Sequence, residues 1–151
     1  MTQPFRLASV LDFREAQLSM AVQDLARAET AVQSIENTLH ELEQDQYSVL
    51  GQSTSWKERP AADLRLIADY LDVLQQHQQS LEAALVTLRE HMAQARAVVV
   101  ERHRGVDILN RLKERQMSIV RQEEARQEQR AIDEVNSTRS IEKSRQEDEE
   151  C

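Results

Sequence analysis

The sequence predicts an all-α protein: two long helices forming an antiparallel coiled-coil hairpin, the second helix longer than the first and overhanging it. Three observations lead there. Ala, Leu, Glu, Gln and Arg dominate, and these side chains lose little rotamer freedom in a helix. Apolar residues recur with a 3.5-residue period on both sides of a single mid-chain break. Only 3% of residues are aromatic, and 151 residues contain two Gly and two Pro, so the turn formers and bulky side chains that close a sheet or fill a globular core are scarce.

The first helix is expected over about residues 4–50. Leu11, Leu18, Leu25, Val32 and Leu39 mark one seam position, and Leu7, Ala21, Ala28, Ile35, Leu42 and Val49 the other. Alternating steps of three and four residues keep this stripe facing one partner helix. Arg14 and Gln46 are its polar exceptions. The reversal falls at about 51–60, where Gly51 can end a helix in the left-handed conformation and Pro60 can only begin one.

The second helix is expected over about 61–140. Leu64, Leu71, Leu85, Met92, Val99 and Val106 take one seam position, and Ile67, Leu74, Leu81, Leu88, Ala95 and Leu109 the other, with Gln78 and Arg102 as interruptions. Neither helix can bury its stripe alone, and a connection of about ten residues lets the two fold back on each other as a single coiled-coil domain over 1–151. A reversal centred near Ser55 would set Leu7 beside Arg104 and Gly105. In that register Val106, Ile108, Leu109, Leu112, Ile119 and Val120 have no partner within the chain, which makes Ile108, Leu112, Ile119 and Val120 candidate protein-binding residues. Gly105 costs a helix interior about 1 kcal/mol relative to Ala; it either marks a bend where the paired helices give way to a single one or is a tolerated solvent-facing glycine. After Arg121 the chain is charged and then Ser-rich, with opposite charges supporting a solvated helix; fraying is expected near Ser144, leaving an acidic tail over about 141–151.

Chemistry of its own is not expected. A net charge of −8 offers no basic excess against a nucleic-acid backbone. His40, His77, His91 and His103 have no second His or Cys at helical ligand spacing, so no metal site is expected. Two glycines cannot build a phosphate-cradling loop, and no cofactor is implied. Ser140-Ile-Glu-Lys143 matches a Ser-x-x-Lys motif by letter but sits in a charged stretch where nothing desolvates the lysine. No run of about 18 apolar residues reads as a membrane span, no secretory leader is expected at the N-terminus, and the lone Cys151 suits a reducing compartment. Residues 96–121 carry Arg96, Arg102, Arg104, Arg111, Lys113, Arg115 and Arg121 against Glu101, Asp107 and Glu114. This basic stretch coincides with the unpartnered apolar stripe, a combination that fits a docking surface for an acidic protein groove; the plain alternative is charge alternation on a solvated helix.

The chain resembles a known family in several places. Phe5-Arg-Leu-Ala-Ser-Val-Leu-Asp-Phe-Arg-Glu15, Tyr70-Leu-Asp-Val-Leu74, Leu112-Lys-Glu-Arg115, and Ile132-Asp-Glu-Val135 followed by Arg139 resemble, in the same order, segments of FliJ, the small coiled-coil component of the bacterial flagellar export apparatus. The resemblance implies a cytoplasmic protein at the cytoplasmic face of the inner membrane, similar to the central stalk of rotary ATPases and held there through its partners. It implies as partners the export ATPase FliI, the export gate protein FlhA and export chaperones, with no transmembrane segment and no nucleic acid. In the family, gate contact involves an aromatic residue and a leucine four positions later, matched here by Tyr70 and Leu74; His77 and Leu81 continue that face but depart from the pattern. Leu74 also lies on the heptad seam, where a core role competes. The competing readings are the equivalent stalk of a virulence type III secretion system and a homodimerising coiled-coil scaffold.

Overall fold

The computed structural model describes residues 5–52 and 57–149, with side chains described as far as Arg145. They form two long helices, α1 (Ala8–Gly51) and α2 (Ala61–Glu149), and no strand occurs among the described residues. A turn at Phe5–Leu7 starts α1: the Ala8 amide donates to the Phe5 carbonyl at 3.0 Å and the Leu11 amide to that of Leu7 at 2.9 Å. At the head of α2 the Pro60 carbonyl accepts from the amides of Asp63 and Leu64, so the proline leads the helix, and the Asp63 carboxylate sits in the first turn where the helix dipole favours negative charge. Gly51 ends α1, but not in the left-handed conformation expected of it; no described glycine has positive φ, and Gln52 continues in a tighter turn. Ser55 and Cys151 lie outside the described residues.

Beyond Arg121 every described side chain is exposed, yet α2 continues past Ser144 to Glu149. Local bonds support it there. Gln129 donates to Asp133 at 2.9 Å, and the hydroxyls of Ser137 and Ser144 donate to the carbonyls four residues earlier.

The chain divides into two compact units, Glu15–Arg104 and Met1–Arg14 with Gly105–Cys151. In the first, burial follows the predicted seam: Ala21, Val32 and Leu42 of α1 and Leu74 and Leu85 of α2 are buried, and the seam positions between them are half-buried. In the second, Leu11 and Val106 are the buried apolar residues. No described side chain is fully enclosed, because a seam between two helices covers each residue from one side only.

Four cross-seam contacts fix direction and register in the Glu15–Arg104 unit. Gln46 donates to Gln78 at 3.2 Å, Arg89 to Glu36 at 2.7 Å and Arg102 to Gln17 at 3.1 Å, and Arg96 pairs with Glu29 at 3.5 Å. The α2 number rises as the α1 number falls, so the helices are antiparallel, and Gly51 stands level with about Val73. This corrects the register centred on Ser55, which would have set Gln46 against Leu64 and Gln78 against Val32. A half-buried amide left unpaired there would lose only part of the about 1–3 kcal/mol that a fully buried one loses. The exposed ion pairs Arg89–Glu36 and Arg96–Glu29 contribute no more than about 1 kcal/mol each, and they and the polar layer select the same register.

The shift has two results. In the Glu15–Arg104 unit, the first turns of α2 run past the end of α1 and leave Leu64, Leu66 and Tyr70 exposed. In the other unit, Leu7 lies not beside Arg104 and Gly105 but on a surface shared with Leu112 and Ile119. Val106 is buried and Leu109 and Val120 are half-buried, so three of the side chains expected to lack a partner have cover within the chain.

Two predictions follow from this packing. In a Cys151→Ser background, Glu36→Cys with Arg89→Cys should be joined within one chain by a short bismaleimide, whereas Leu18→Cys with Met92→Cys, which would face each other in a register centred on Ser55, should not; gel mobility under denaturing conditions reads both. A β-carbon at Gly105 would meet nothing within 4 Å and the residue lies inside continuous helix, so Gly105→Ala should raise chemical-denaturation stability by up to about 1 kcal/mol.

Candidate protein-docking site

The second unit brings the start of the chain against α2. Phe5, just before α1, is half-buried and lies over the stretch of α2 that contains Gln116 and Val120. It has a groove on each flank. One, of about 680 Å³, is lined by Phe5, Arg6 and Leu7 from the chain start and by Leu112, Arg115, Gln116, Ile119, Val120 and Glu123 from α2. The other, of about 330 Å³, is lined by Phe5 with Lys113, Gln116, Met117, Val120, Arg121 and Glu124.

Local geometry explains the pairing. Gln116 and Val120 continue the α2 seam one and two steps beyond Leu109 and Lys113, so the chain start meets the seam where its apolar character is failing. A single aromatic ring covers that polar and apolar mixture, and the residues beside the seam remain open. Leu112 is 43% exposed and Ile119 is 52% exposed.

Of the four residues predicted on this stretch, the structure brings Leu112, Ile119 and Val120 together in one groove. Ile108 is 60% exposed on the same helix and lines neither groove. Phe5, named in the family segment, Leu7, named in the seam, and Met117 were not among the candidate protein-binding residues. The signal that could have found them is the pairing of Gln46 with Gln78, since matching the two polar seam positions sets the register that carries Phe5 to Val120.

Tyr70 and Leu74 belong to the Glu15–Arg104 unit and have different surroundings. Tyr70 is 46% exposed where α2 outruns α1, while Leu74 is 7% exposed in the seam. The aromatic ring is therefore available to a partner, and the leucine is available only in part.

Groups suited to chemistry do not converge. Among the described residues no cluster of three or more His, Cys, Asp or Glu could hold a metal ion. His40 bonds Gln44 at 3.0 Å, and Ser140 and Lys143 are exposed on α2. No helix among the described residues is long and apolar enough to cross a membrane.

The fold is a helical hairpin whose uncovered apolar side chains sit on its two long helices and, at Leu7, in the turn before α1. The chain belongs to the FliJ family: the family described as Flagellar FliJ protein matches residues 2–145, nearly its whole length. That family is a non-catalytic component of the flagellar export machinery. No curated protein and no solved structure matches the chain significantly.

The different burial of Tyr70 and Leu74 separates their roles. Leu74→Ala should cost about 2 kcal/mol in urea denaturation, the low end for a core leucine because the seam covers it from one side, while Tyr70→Ala should change stability by less than about 0.5 kcal/mol.

Proposed function

We propose that the chain is a non-enzymatic coupling stalk of the flagellar protein export apparatus, engaging the export ATPase ring, the export gate and export chaperones. The observation that carries this reading is the set of apolar side chains left outside the seam on a chain of this family, in particular Leu112 and Ile119 beside Phe5. Side chains that no intramolecular partner covers gain burial only from another molecule. The unit of Met1–Arg14 and Gly105–Cys151 is the ATPase-binding part, with Ile108, Leu112, Ile119 and Val120 as contact residues. Tyr70, with Leu74 behind it, is the gate-binding part.

The coupling needs no catalytic group on this chain. Docking that favours one conformation of the ATPase ring over another shifts its population and so its turnover, and all nucleotide chemistry stays in the ring. Residence at the cytoplasmic face of the inner membrane would come through the gate and the ATPase.

Mixing the purified chain with the export ATPase should raise turnover and give co-migration in gel filtration. Ile108→Asp with Ile119→Asp should remove both effects while leaving helical content unchanged, since both side chains are exposed. Tyr70→Ala should leave ATPase stimulation intact and weaken capture by the gate protein about tenfold. Unchanged turnover and no co-migration with the parent chain would reject the reading.

A further inference from the structure

Ile108, Leu112, Arg115 and Ile119 follow one another in steps of four, three and four residues. That is the spacing of the seam itself, repeated on an adjoining face of α2, and it is the spacing that packs against a helix. Leu112, Arg115 and Ile119 form one wall of the larger groove, and Phe5, Arg6 and Leu7 form the other. A helix laid between these walls would cover the exposed portions of Leu7, Leu112 and Ile119 together.

Charge identifies what kind of helix it is. The two grooves carry Arg6, Lys113, Arg115 and Arg121 against Glu123 and Glu124, a basic rim on a chain whose net charge is −8. None of these four cations has an ion-pair partner among the described residues. Cations flanking an apolar groove attract and orient carboxylates on an incoming surface. A symmetric contact between two copies would instead bring this rim, four cations against Glu123 and Glu124, onto another rim of the same net positive charge. An anionic bilayer would meet a concave, divided surface on a protein that is negative as a whole.

We propose that the grooves flanking Phe5 receive an acidic, apolar-faced helix of a partner protein, which packs as a third helix on the Ile108–Ile119 stripe with carboxylates toward Arg115 and Arg6. The inference rests on the coupling role above and specifies the chemistry of the partner at that same site.

The test uses the full chain and two labelled 21-residue probes, an amphipathic helix with Leu at its seam positions and Glu elsewhere, and the same peptide with Lys for Glu. Fluorescence anisotropy at low salt should give at least tenfold tighter binding of the Glu probe, a preference that shrinks as salt is raised. Ile119→Asp should abolish binding of the Glu probe. Arg6→Glu with Arg115→Glu should reverse the preference, an outcome that a merely unfolded variant cannot produce. Equal binding of both probes, or binding of neither, would overturn the proposal. So would tighter association with vesicles containing phosphatidylglycerol than with the Glu probe, or a dimer in light scattering that Ile119→Asp dissociates. Stimulated ATPase turnover together with no preference between the probes would overturn this inference alone and leave the coupling role standing.

Discussion

Gln46 and Gln78, like Arg14 and Arg102, interrupt two otherwise apolar stripes, and each glutamine sits half-buried in the seam, where part of its hydration is lost. Placed in one layer they bond each other at 3.2 Å, and Gln78 also donates to Glu82 at 3.1 Å. A single polar layer of this kind contributes little to net stability, because an amide bonded inside the protein replaces an amide bonded to water. Its effect is on the alternatives. A coiled coil with a purely heptad stripe can slide by whole repeats at modest cost, whereas a slide here separates the two glutamines and breaks the bond between them. Arg102 meets Gln17 by the same logic farther along α2.

Register then decides which apolar residues are covered. Because Gly51 stands level with about Val73, the opening turns of α2 have no length of α1 beside them, and Tyr70 stays half in solvent. Because the chain start reaches Val120, Val106 becomes core, and the uncovered side chains narrow to a stripe beside the seam. Tyr70 and the Ile108–Ile119 stripe lie on α2, whose interior backbone hydrogen bonds are satisfied within the helix, while Phe5, Arg6 and Leu7 come from the turn before α1. That suits a family whose work is done through contacts with other proteins.

Much of this was legible in the residues. The two seams, the break at Gly51 to Pro60 and the dominance of helix come from spacing and composition, and burial of Leu11, Ala21, Val32, Leu42, Leu74 and Leu85 follows the predicted phase. The basic stretch and Leu112, Ile119 and Val120 were also visible as an apolar and charged set, and the family resemblance rests on segments within the matched range. What failed was the assumption that a reversal is centred on the segment that breaks the helices. A breaker states where helices stop, not how far the second is carried along the first before pairing begins.

Periodicity along a chain thus determined that there are two helices, which face of each is apolar, and where they are interrupted, because a face is a property of spacing within one helix. Only the tertiary structure decided which residue of α1 stands beside which residue of α2, and so placed Phe5 over Val120 and left Ile119 open. The reason is physical: facing within a helix depends on local dihedrals, while register depends on the match between two distant stretches, settled by a few polar side chains that must find each other.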